Sequence, residues 1–379
     1  MTHGVGFDAS LGRAGGSPGL IADQIIIAAF LKQRAARSAL VIARSGKAGP
    51  SCARLARIKR CAAATAPWPG FYERASFEPS FATRFARPPS RADAAARRAG
   101  ALMQHRTAPR DALDTMLDWA AAEGWNPGLD DAAAFFAAEP DGFFVTLDDA
   151  GQPVAAISVV NHTPTFAFLG LYIVRPSDRG RGIGLALWRH ALGHAGPRSI
   201  GLDGVEAQQD NYAASGFLRT GGTTRFAGTV PGAHAPDARP ATESDVPALI
   251  AIEGAASGVA KPRYLGAWFA PGPPRVTLVV EAASKIVAMA TVRRCREGAK
   301  IGPFWAEEAG VAARLFDHCA TLFPGPVLID VPEAATGLGA LATARGLLPG
   351  FKTARMVRGP APRPTGDTRF FAVTSLELG

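Results

Sequence analysis

Residues 171–188 read Leu171-Tyr-Ile-Val-Arg-Pro-Ser-Asp-Arg-Gly-Arg-Gly-Ile-Gly-Leu-Ala-Leu-Trp188, and this stretch decides the fold. Its first residues are β-branched, aromatic or aliphatic and predict a strand, which Pro176 ends because proline removes a ladder donor. A glycine-rich turn follows. The residues after Gly182 predict a helix, because its apolar positions share one face: Ile183, Ala186, Leu187 and Ala191.

The turn of this stretch has the properties of an anion site. Gly180, Gly182 and Gly184 carry no Cβ atom, so the backbone can approach a ligand closely. The free amides and the dipole at a helix start attract an anion such as a diphosphate. Arg179 and Arg181 add positive charge beside it. A connector without a ligand is one alternative. A dinucleotide site is another, although it would follow the first strand of a βαβ unit rather than an antiparallel meander.

The surrounding pattern alternates strand and helix signals. Three strands precede the turn and form a predicted meander: Phe143–Leu147, Pro153–Val160 and Phe166–Val174. The pattern then repeats along the chain. Two segments of the second copy parallel two of the first, with Val327–Val331 like Ile200–Gly204 and Lys352–Arg355 like Thr223–Arg225. We expect an α/β (α+β) protein with two copies of one fold in tandem.

The boundaries follow composition. We predict an extension at 1–102, a first domain at 103–228, a linker at 229–238 and a second domain at 239–379. Residues 1–102 carry 13 Arg and 3 Lys against 3 Asp and 2 Glu, a net charge of +11 in a chain of +9, which leaves −2 for the rest. We interpret 1–102 as a disordered extension or a mis-assigned start, with Met103 as the first residue. A basic arm for nucleic acid or a membrane is the alternative.

Other sequence features exclude several classes of protein. Four cysteines, Cys52, Cys61, Cys295 and Cys319, lack metal-binding spacing, so we expect no metal site and reduced thiols in a cytoplasmic protein. The apolar run Leu20–Leu31 is too short to span a bilayer. We therefore expect no membrane and no nucleic acid among the partners; the sequence leaves a homodimer open.

Two motifs in the order of a known family give a specific resemblance. Arg179-Gly-Arg-Gly-Ile-Gly184 resembles the coenzyme A motif Gln/Arg-x-x-Gly-x-Gly/Ala of the GNAT (Gcn5-related N-acetyltransferase) superfamily, with Val174-Arg-Pro176 before it. Downstream, Tyr212-Ala-Ala-Ser-Gly-Phe217 is similar to the family's Tyr-x-x-x-Gly-Phe. The resemblance covers about residues 105–228. It implies a mixed, mostly antiparallel, splayed sheet flanked by helices.

The resemblance also implies the chemistry. Acetyl-coenzyme A would be the co-substrate, and a primary amine of a small molecule or protein would attack it directly in a ternary complex. The backbone around Tyr172, Ile173 and Val174 would pair with the pantetheine arm and supply an oxyanion donor. Amides of the loop would hold the pyrophosphate: Arg179, Gly180, Arg181, Gly182, Ile183 and Gly184. Tyr212 would protonate the leaving thiolate, unless it only packs on the sheet.

One position departs from the family pattern. Many relatives have an Asn seven residues before this Tyr, where the chain has Val205, so Asn211 is the substitute contact that we predict.

The C-terminal copy resembles the bacterial YitH/HolE-like acetyltransferase domain over about residues 240–379. The segments that carry this resemblance are Lys300–Trp305, Leu328–Glu333, Thr353–Met356 and Phe371–Gly379. At the position of the phosphate loop this copy has Glu307 and Glu308, which would repel a diphosphate, and Ala342 stands where the first copy has Tyr212. We expect this copy to be degenerate and catalytically silent, and to shape the substrate cleft.

The acceptor side carries weaker signals. Trp119–Pro127 looks like the acceptor-side loop of relatives, which makes Glu123, Trp125 and Asn126 candidate substrate contacts. Glu123 or Asp203 could take the amine proton if burial raised its pKa; alternatively each is structural. A non-catalytic acyl-coenzyme A sensor or regulatory module is the rival function.

Overall fold

The structure is a computed structural model that describes residues 103–270, 272 and 274–379, all within one compact unit. The predictions for 1–102, including the disordered extension and the basic arm, lie outside the described residues. Met103, the predicted first residue, directly precedes the first described strand.

The first half begins with a strand and two helices before the meander. Helix α1 buries Leu113, Met116, Leu117 and Ala120, the apolar face that its spacing predicts. The elements of this half are β1 (Gln104–Thr107), α1 (Ala112–Ala122), α2 (Asp131–Ala138), β2 (Phe143–Leu147), β3 (Pro153–Asn161), β4 (Phe166–Val174), α3 (Ile183–Leu192), β5 (Ser199–Val205), α4 (Gln209–Ala214) and β6 (Leu218–Gly228).

The second half repeats this order. Residues 229–237 connect β6 to the next strand, and the predicted linker is 229–238. The elements are β7 (Ala238–Pro240), α5 (Val246–Ser257), α6 (Pro262–Phe269), β8 (Arg275–Ala282), β9 (Lys285–Arg294), β10 (Ala299–Ala306), α7 (Ala309–Cys319), β11 (Val327–Pro332), α8 (Thr336–Ala344), β12 (Leu348–Arg358) and β13 (Phe371–Ala372).

The thirteen strands of the described residues form one mixed sheet, which helices flank. Its order is β1-β2-β3-β4-β5-β12-β6-β11-β10-β9-β8-β7, with β13 added beside β10. The β4–β5 and β10–β11 pairs are parallel, and the other pairs are antiparallel. The two predicted copies therefore do not have separate sheets. The copies exchange one strand each, because β12 of the second half pairs with β5 and β6 of the first half pairs with β11.

Two ion pairs, one buried and one partly buried, join the exchanged strands at equivalent positions. Arg355 on β12 donates to both oxygens of Asp203 on β5, at 2.8 Å for Nε–Oδ1 and 2.8 Å for Nη2–Oδ2. Arg225 on β6 donates to both oxygens of Asp330 on β11, at 2.7 Å for Nε–Oδ1 and 2.8 Å for Nη2–Oδ2. The register places each arginine directly opposite its aspartate. The repeated sequence motifs around these four residues thus form the two exchanged strands, β6 and β12, and the strands that they pair with, β11 and β5.

One apolar core also crosses between the halves. It contains Leu113 and Phe135 from the first half and Tyr264, Leu265 and Trp268 from the second. The Phe135 and Trp268 rings stack with centroids 6.3 Å apart. Burial of such large aromatic side chains contributes strongly to stability, so the two halves depend on each other. Within the described ranges, no helix is both long and apolar enough to cross a membrane.

Removal of the Asp330 carboxylate tests the ion pairs of the exchange. Asp330→Ala leaves the Arg225 guanidinium buried without its partner, so we expect urea denaturation to show a loss of about 3–5 kcal/mol in the free energy of unfolding. The matched control is Glu333→Ala, which removes the exposed partner of Arg219 from the same pair of segments. The control should lose less than about 1 kcal/mol. Equal losses in the two variants would contradict this role of the buried pair.

Candidate active site

The site lies where two parallel strands separate. Strand β4 pairs with β5 only from Phe166 to Leu169, and its other edge remains paired with β3 as far as Val174. Leu171 has a positive φ of 48°, and the β3–β4 register shifts beside it. This bulge bends β4 at the separation, a position where bulges often re-aim the backbone. In the described part of the chain, residues 171–174 have no strand on the edge that faces β5.

A cavity of about 420 Å³ occupies this separation. Both halves of the chain line it, because β12 lies beside β5 and the C-terminal segment crosses β4. The lining includes eight residues that the sequence predicts as site residues: Glu123, Trp125, Tyr172, Ile173, Val174, Arg179, Asp203 and Tyr212. The remaining predicted residues, Gly180, Arg181, Gly182, Ile183, Gly184, Asn126 and Asn211, lie outside this lining.

The glycine-rich turn leads into α3 beside the open edge of β4. Gly180 and Gly182 have φ values of 77° and 81°, in the left-handed region that favours glycine, and Gly182 is the N-cap of α3. A Cβ atom at Gly184 would lie 2.6 Å from the Tyr172 hydroxyl, so glycine lets the helix start approach β4 closely. The first-turn amides of α3 have no intrahelical acceptors and are suited to an anion.

The two arginines of the turn are tied to acidic partners. Arg179 donates from Nε to the Val174 carbonyl at 2.9 Å and pairs with Glu123. Arg181 donates to the buried Asp178 at 2.6 Å. Hydrogen bonds from Arg175 and Ser177 lower the pKa of Asp178. In this arrangement the arginines order the turn, and the backbone amides and the remaining guanidinium N–H groups can donate to an anion.

Tyr212 extends from α4 toward the same cavity. Its ring packs on Gly204 of β5, where a Cβ atom would lie 2.9 Å from Cδ2, and stacks on Trp188 with centroids 5.5 Å apart. Burial raises the pKa of the Tyr212 phenol above its ordinary range, and it raises that of Tyr172 to about 12. Both phenols are therefore protonated at neutral pH and able to donate.

The residues predicted for the acceptor side lie in different parts of the structure. Glu123 lies at the rim in its pair with Arg179. Asp203 lies in the wall, where burial raises its pKa although both oxygens accept from Arg355, whose charge opposes that rise.

The two neighbours in the acceptor loop also differ. Trp125 lines the cavity, while its carbonyl accepts from Arg225 at 2.7 Å and from Lys300 at 3.1 Å. Asn126 instead binds the backbone of Glu297, with 2.8 Å between Nδ2 and the carbonyl oxygen. The Asn211 amide donates to Gln208 at 2.8 Å, and Gln208 lines the cavity.

The sequence predictions missed all four lining residues that come from the second half. Phe351 and Thr353 come from the exchanged strand β12, and Leu376 and Glu377 come from the C-terminal segment. That segment crosses β4 at Gly170, where a Cβ atom would lie 1.9 Å from the Glu377 carbonyl oxygen. One signal was available: Glu377 is the single charged residue between Phe371 and Gly379.

The equivalent separation in the second half is filled by the chain itself. Strand β13 pairs with β10 at Phe304–Ala372 and Trp305–Phe371. The Ala306 amide donates to Phe370, and the Val373 amide donates to Asp330. These contacts take the edge of β10 that corresponds to residues 172–174 of β4, so an extended ligand has no free edge there.

Comparisons with known proteins agree with this architecture. A family model described as "Acetyltransferase (GNAT) family" matches residues 110–221, and one described as "Acetyltransferase (GNAT) domain" matches residues 249–372. The chain is 33% identical over 266 residues to the holothin acyltransferase of Pseudoalteromonas sp. (strain SANK 73390). The aligned region covers 69% of this chain and 90% of that protein.

A solved structure shows the same fold. It is a putative acetyltransferase from Pyrococcus horikoshii, with a TM-score of 0.62 and 19% identity. The similarity covers 73% of this chain and 96% of that one.

Substitutions in the two halves test whether coenzyme A binds only at the β4–β5 separation and not at the β10–β11 separation. Gly182→Val forces a branched residue into a left-handed position, which disturbs the turn, so coenzyme A should bind at least about tenfold more weakly, or 1.4 kcal/mol, in calorimetric titration. Glu307→Val alters an exposed residue in the corresponding turn of the second half, before α7, and should leave the dissociation constant unchanged. Weaker binding in Glu307→Val alone would contradict binding at the β4–β5 separation only.

Proposed function

The chain belongs to the GNAT acyltransferase family, and from this premise we propose that it is an N-acetyltransferase that uses acetyl-coenzyme A and a primary amine. The amine attacks the thioester directly in a ternary complex. One observation carries the proposal: a free strand edge, a glycine turn at a helix start and a buried phenol face the same region of the β4–β5 separation.

Residues of the first half fit the proposed co-substrate. Successive amides of a strand point to opposite edges, so about half of the amides of residues 171–174 face the open separation and can pair with pantetheine. The close approach of Gly184 to Tyr172 brings the amides of α3 next to that edge, where they suit the diphosphate. The filled edge of β10 supports one coenzyme A site in the described part of the chain.

The same backbone supplies electrostatic stabilisation. When the amine attacks, negative charge develops on the thioester oxygen. An amide of the bulged segment after Leu171 donates a hydrogen bond to that oxygen. A donor fixed in place before the reaction needs no reorganisation, which is why such groups lower the barrier efficiently.

Tyr212 supplies the proton for the leaving group. Its ring is fixed between Gly204 and Trp188, and its raised pKa keeps the phenol protonated through the neutral range. It donates that proton to the thiolate as the carbon–sulfur bond breaks.

The dimensions of the cavity support a small acceptor. A volume of about 420 Å³ lies within the range of small-molecule sites, and a protein amine would have to enter on a single extended side chain. The relative from Pseudoalteromonas is named for holothin. We propose that this chain acts on an acceptor of related chemistry.

Thiol release tests the proposed activity. Purified protein with acetyl-coenzyme A and a panel of primary amines should release free thiol at a rate that depends on the amine. Tight coenzyme A binding without amine-dependent release would refute the enzyme and support a sensor of acyl-coenzyme A.

Replacement of Tyr212 tests the proton donor. Tyr212→Phe keeps the ring that stacks on Trp188 but removes the hydroxyl, so kcat should fall roughly 10²-fold or more, within the range for general acid catalysis. The coenzyme A dissociation constant should stay within about twofold of wild type, because the packing is kept. A kcat close to that of wild type would show that Tyr212 only packs on the sheet.

A further inference from the structure

We propose that the Glu377 carboxylate binds the acceptor as a primary ammonium ion and takes the proton that frees its nitrogen for attack. This inference rests on the proposed N-acetyltransferase function and names the group that activates the substrate. The acceptor class is then a small primary amine that is cationic in solution. The residues that the sequence predicts for this role, Glu123 and Asp203, belong to the first half, whereas Glu377 belongs to the C-terminal segment.

Several contacts fix Glu377 at the separation of the strands. Its carbonyl oxygen lies against Gly170, one residue beyond the last β4–β5 pair. The Leu378 amide donates to the Ser375 hydroxyl at 3.1 Å, and the Leu378 carbonyl lies 2.8 Å from His162 Nε2. The Lys261 ammonium donates to the Gly379 carbonyl. The segment is held on both sides of Glu377, so its side chain has a defined place in the cavity lining.

Three carboxylates line the cavity in the described part of the chain, and their partners distinguish them. Glu123 pairs with Arg179 at the rim, and both oxygens of Asp203 accept from Arg355. Glu377 is only 3% exposed, and its Oε2 atom has no hydrogen-bond partner. A buried carboxylate oxygen without a partner is costly unless a ligand satisfies it. A substrate ammonium ion is the complementary group.

The cations near Glu377 are engaged elsewhere. Arg225, Arg293 and Lys300 interact electrostatically with its carboxylate, as does the Tyr264 phenol. Their hydrogen bonds go to other groups: Arg225 to Asp330 and Trp125, Arg293 to Asp131, Gly302 and Thr374, Lys300 to Trp125, and Tyr264 to Ser375. Arg293 Nη2 also lacks a hydrogen-bond partner, so it does not donate to Glu377, and Oε2 is open to a donor from a ligand.

A second unpartnered atom lies in the same cavity. Thr353 on β12 is 6% exposed, and its Oγ1 atom has no hydrogen-bond partner. A primary ammonium ion has three donors, so it can bind a carboxylate and a hydroxyl together. Trp125, Phe351 and Leu376 supply apolar surface in the lining. The site thus suits a cationic amine attached to a compact apolar body.

The proposed step balances in atoms and charge. The ammonium ion R–NH₃⁺ gives one proton to Glu377. The nitrogen lone pair forms the C–N bond to the acetyl carbon, the C–S bond breaks, and its electron pair leaves on sulfur. Tyr212 protonates that thiolate and regains a proton from the nitrogen as the amide forms. Glu377 releases its proton to water, so the products are the N-acetyl amide, the free thiol and one H⁺.

The test compares two amines in the full chain. Benzylamine is a cation at neutral pH, and aniline is neutral. Glu377→Gln keeps the size of the side chain and the backbone contact with Gly170. We expect kcat/KM for benzylamine to fall roughly 10²–10⁴-fold, and that for aniline to fall much less, because aniline arrives without the extra proton. The coenzyme A dissociation constant should not change.

The matched control is Glu123→Gln, which neutralises a second carboxylate of the same cavity. Its effect on the two amines should be equal, because Arg179 already holds that carboxylate. Equal losses for benzylamine and aniline in Glu377→Gln would overturn the assignment of Glu377. Wild-type protein that releases no thiol with either amine, or with any other in the panel, would instead refute the proposed function itself.

A second variant gives an independent result. Glu377→Ala leaves a space in which added formate can act as the missing carboxylate, so formate should restore benzylamine turnover. Intact coenzyme A binding without restoration by formate would overturn the proposal. Loss of coenzyme A binding in both Glu377 variants would assign this residue a structural role and would also overturn it.

Discussion

The exchange of β6 and β12 between the two halves is the constraint on which the rest of the structure depends. It places two Asp–Arg pairs, Asp203–Arg355 and Asp330–Arg225, at equivalent positions in the centre of one continuous sheet. A different pairing of these strands would separate the charges and leave them uncompensated, which is costly, so we infer that the pairs favour this strand order. Because β12 stands next to β5, residues of the second half reach the cavity of the first.

The same fold thus has different uses in its two copies. In the first half, β4 and β5 separate after Leu169 and leave an edge free beside a helix start. In the second half, the chain folds back as β13 and takes the corresponding edge of β10. The segment that follows β13 then continues to the first half and brings Glu377 to Gly170. One C-terminal segment therefore covers the free edge of β10 and completes the cavity between β4 and β5.

Much of the local structure could be predicted from the sequence, because its causes are local. The glycine-rich turn before α3, the meander and the amphipathic face of α1 follow from residue type and spacing. The family and the tandem repeat are confirmed by the comparisons. The exchange was not predictable in this way, since the pattern of a strand shows which face is buried but not which neighbour it pairs with. The same limit hid Glu377, which reaches the site only through long-range folding of the C-terminal segment.

A crystal structure of the full chain with coenzyme A tests the central claim most directly, namely that both halves build a single site on β4. We predict one coenzyme A molecule per chain, with pantetheine along residues 171–174, the diphosphate at the start of α3, and the sulfur in the cavity that Tyr212 and Glu377 line. Coenzyme A bound along β10 with β13 displaced, or at both separations, would contradict this account.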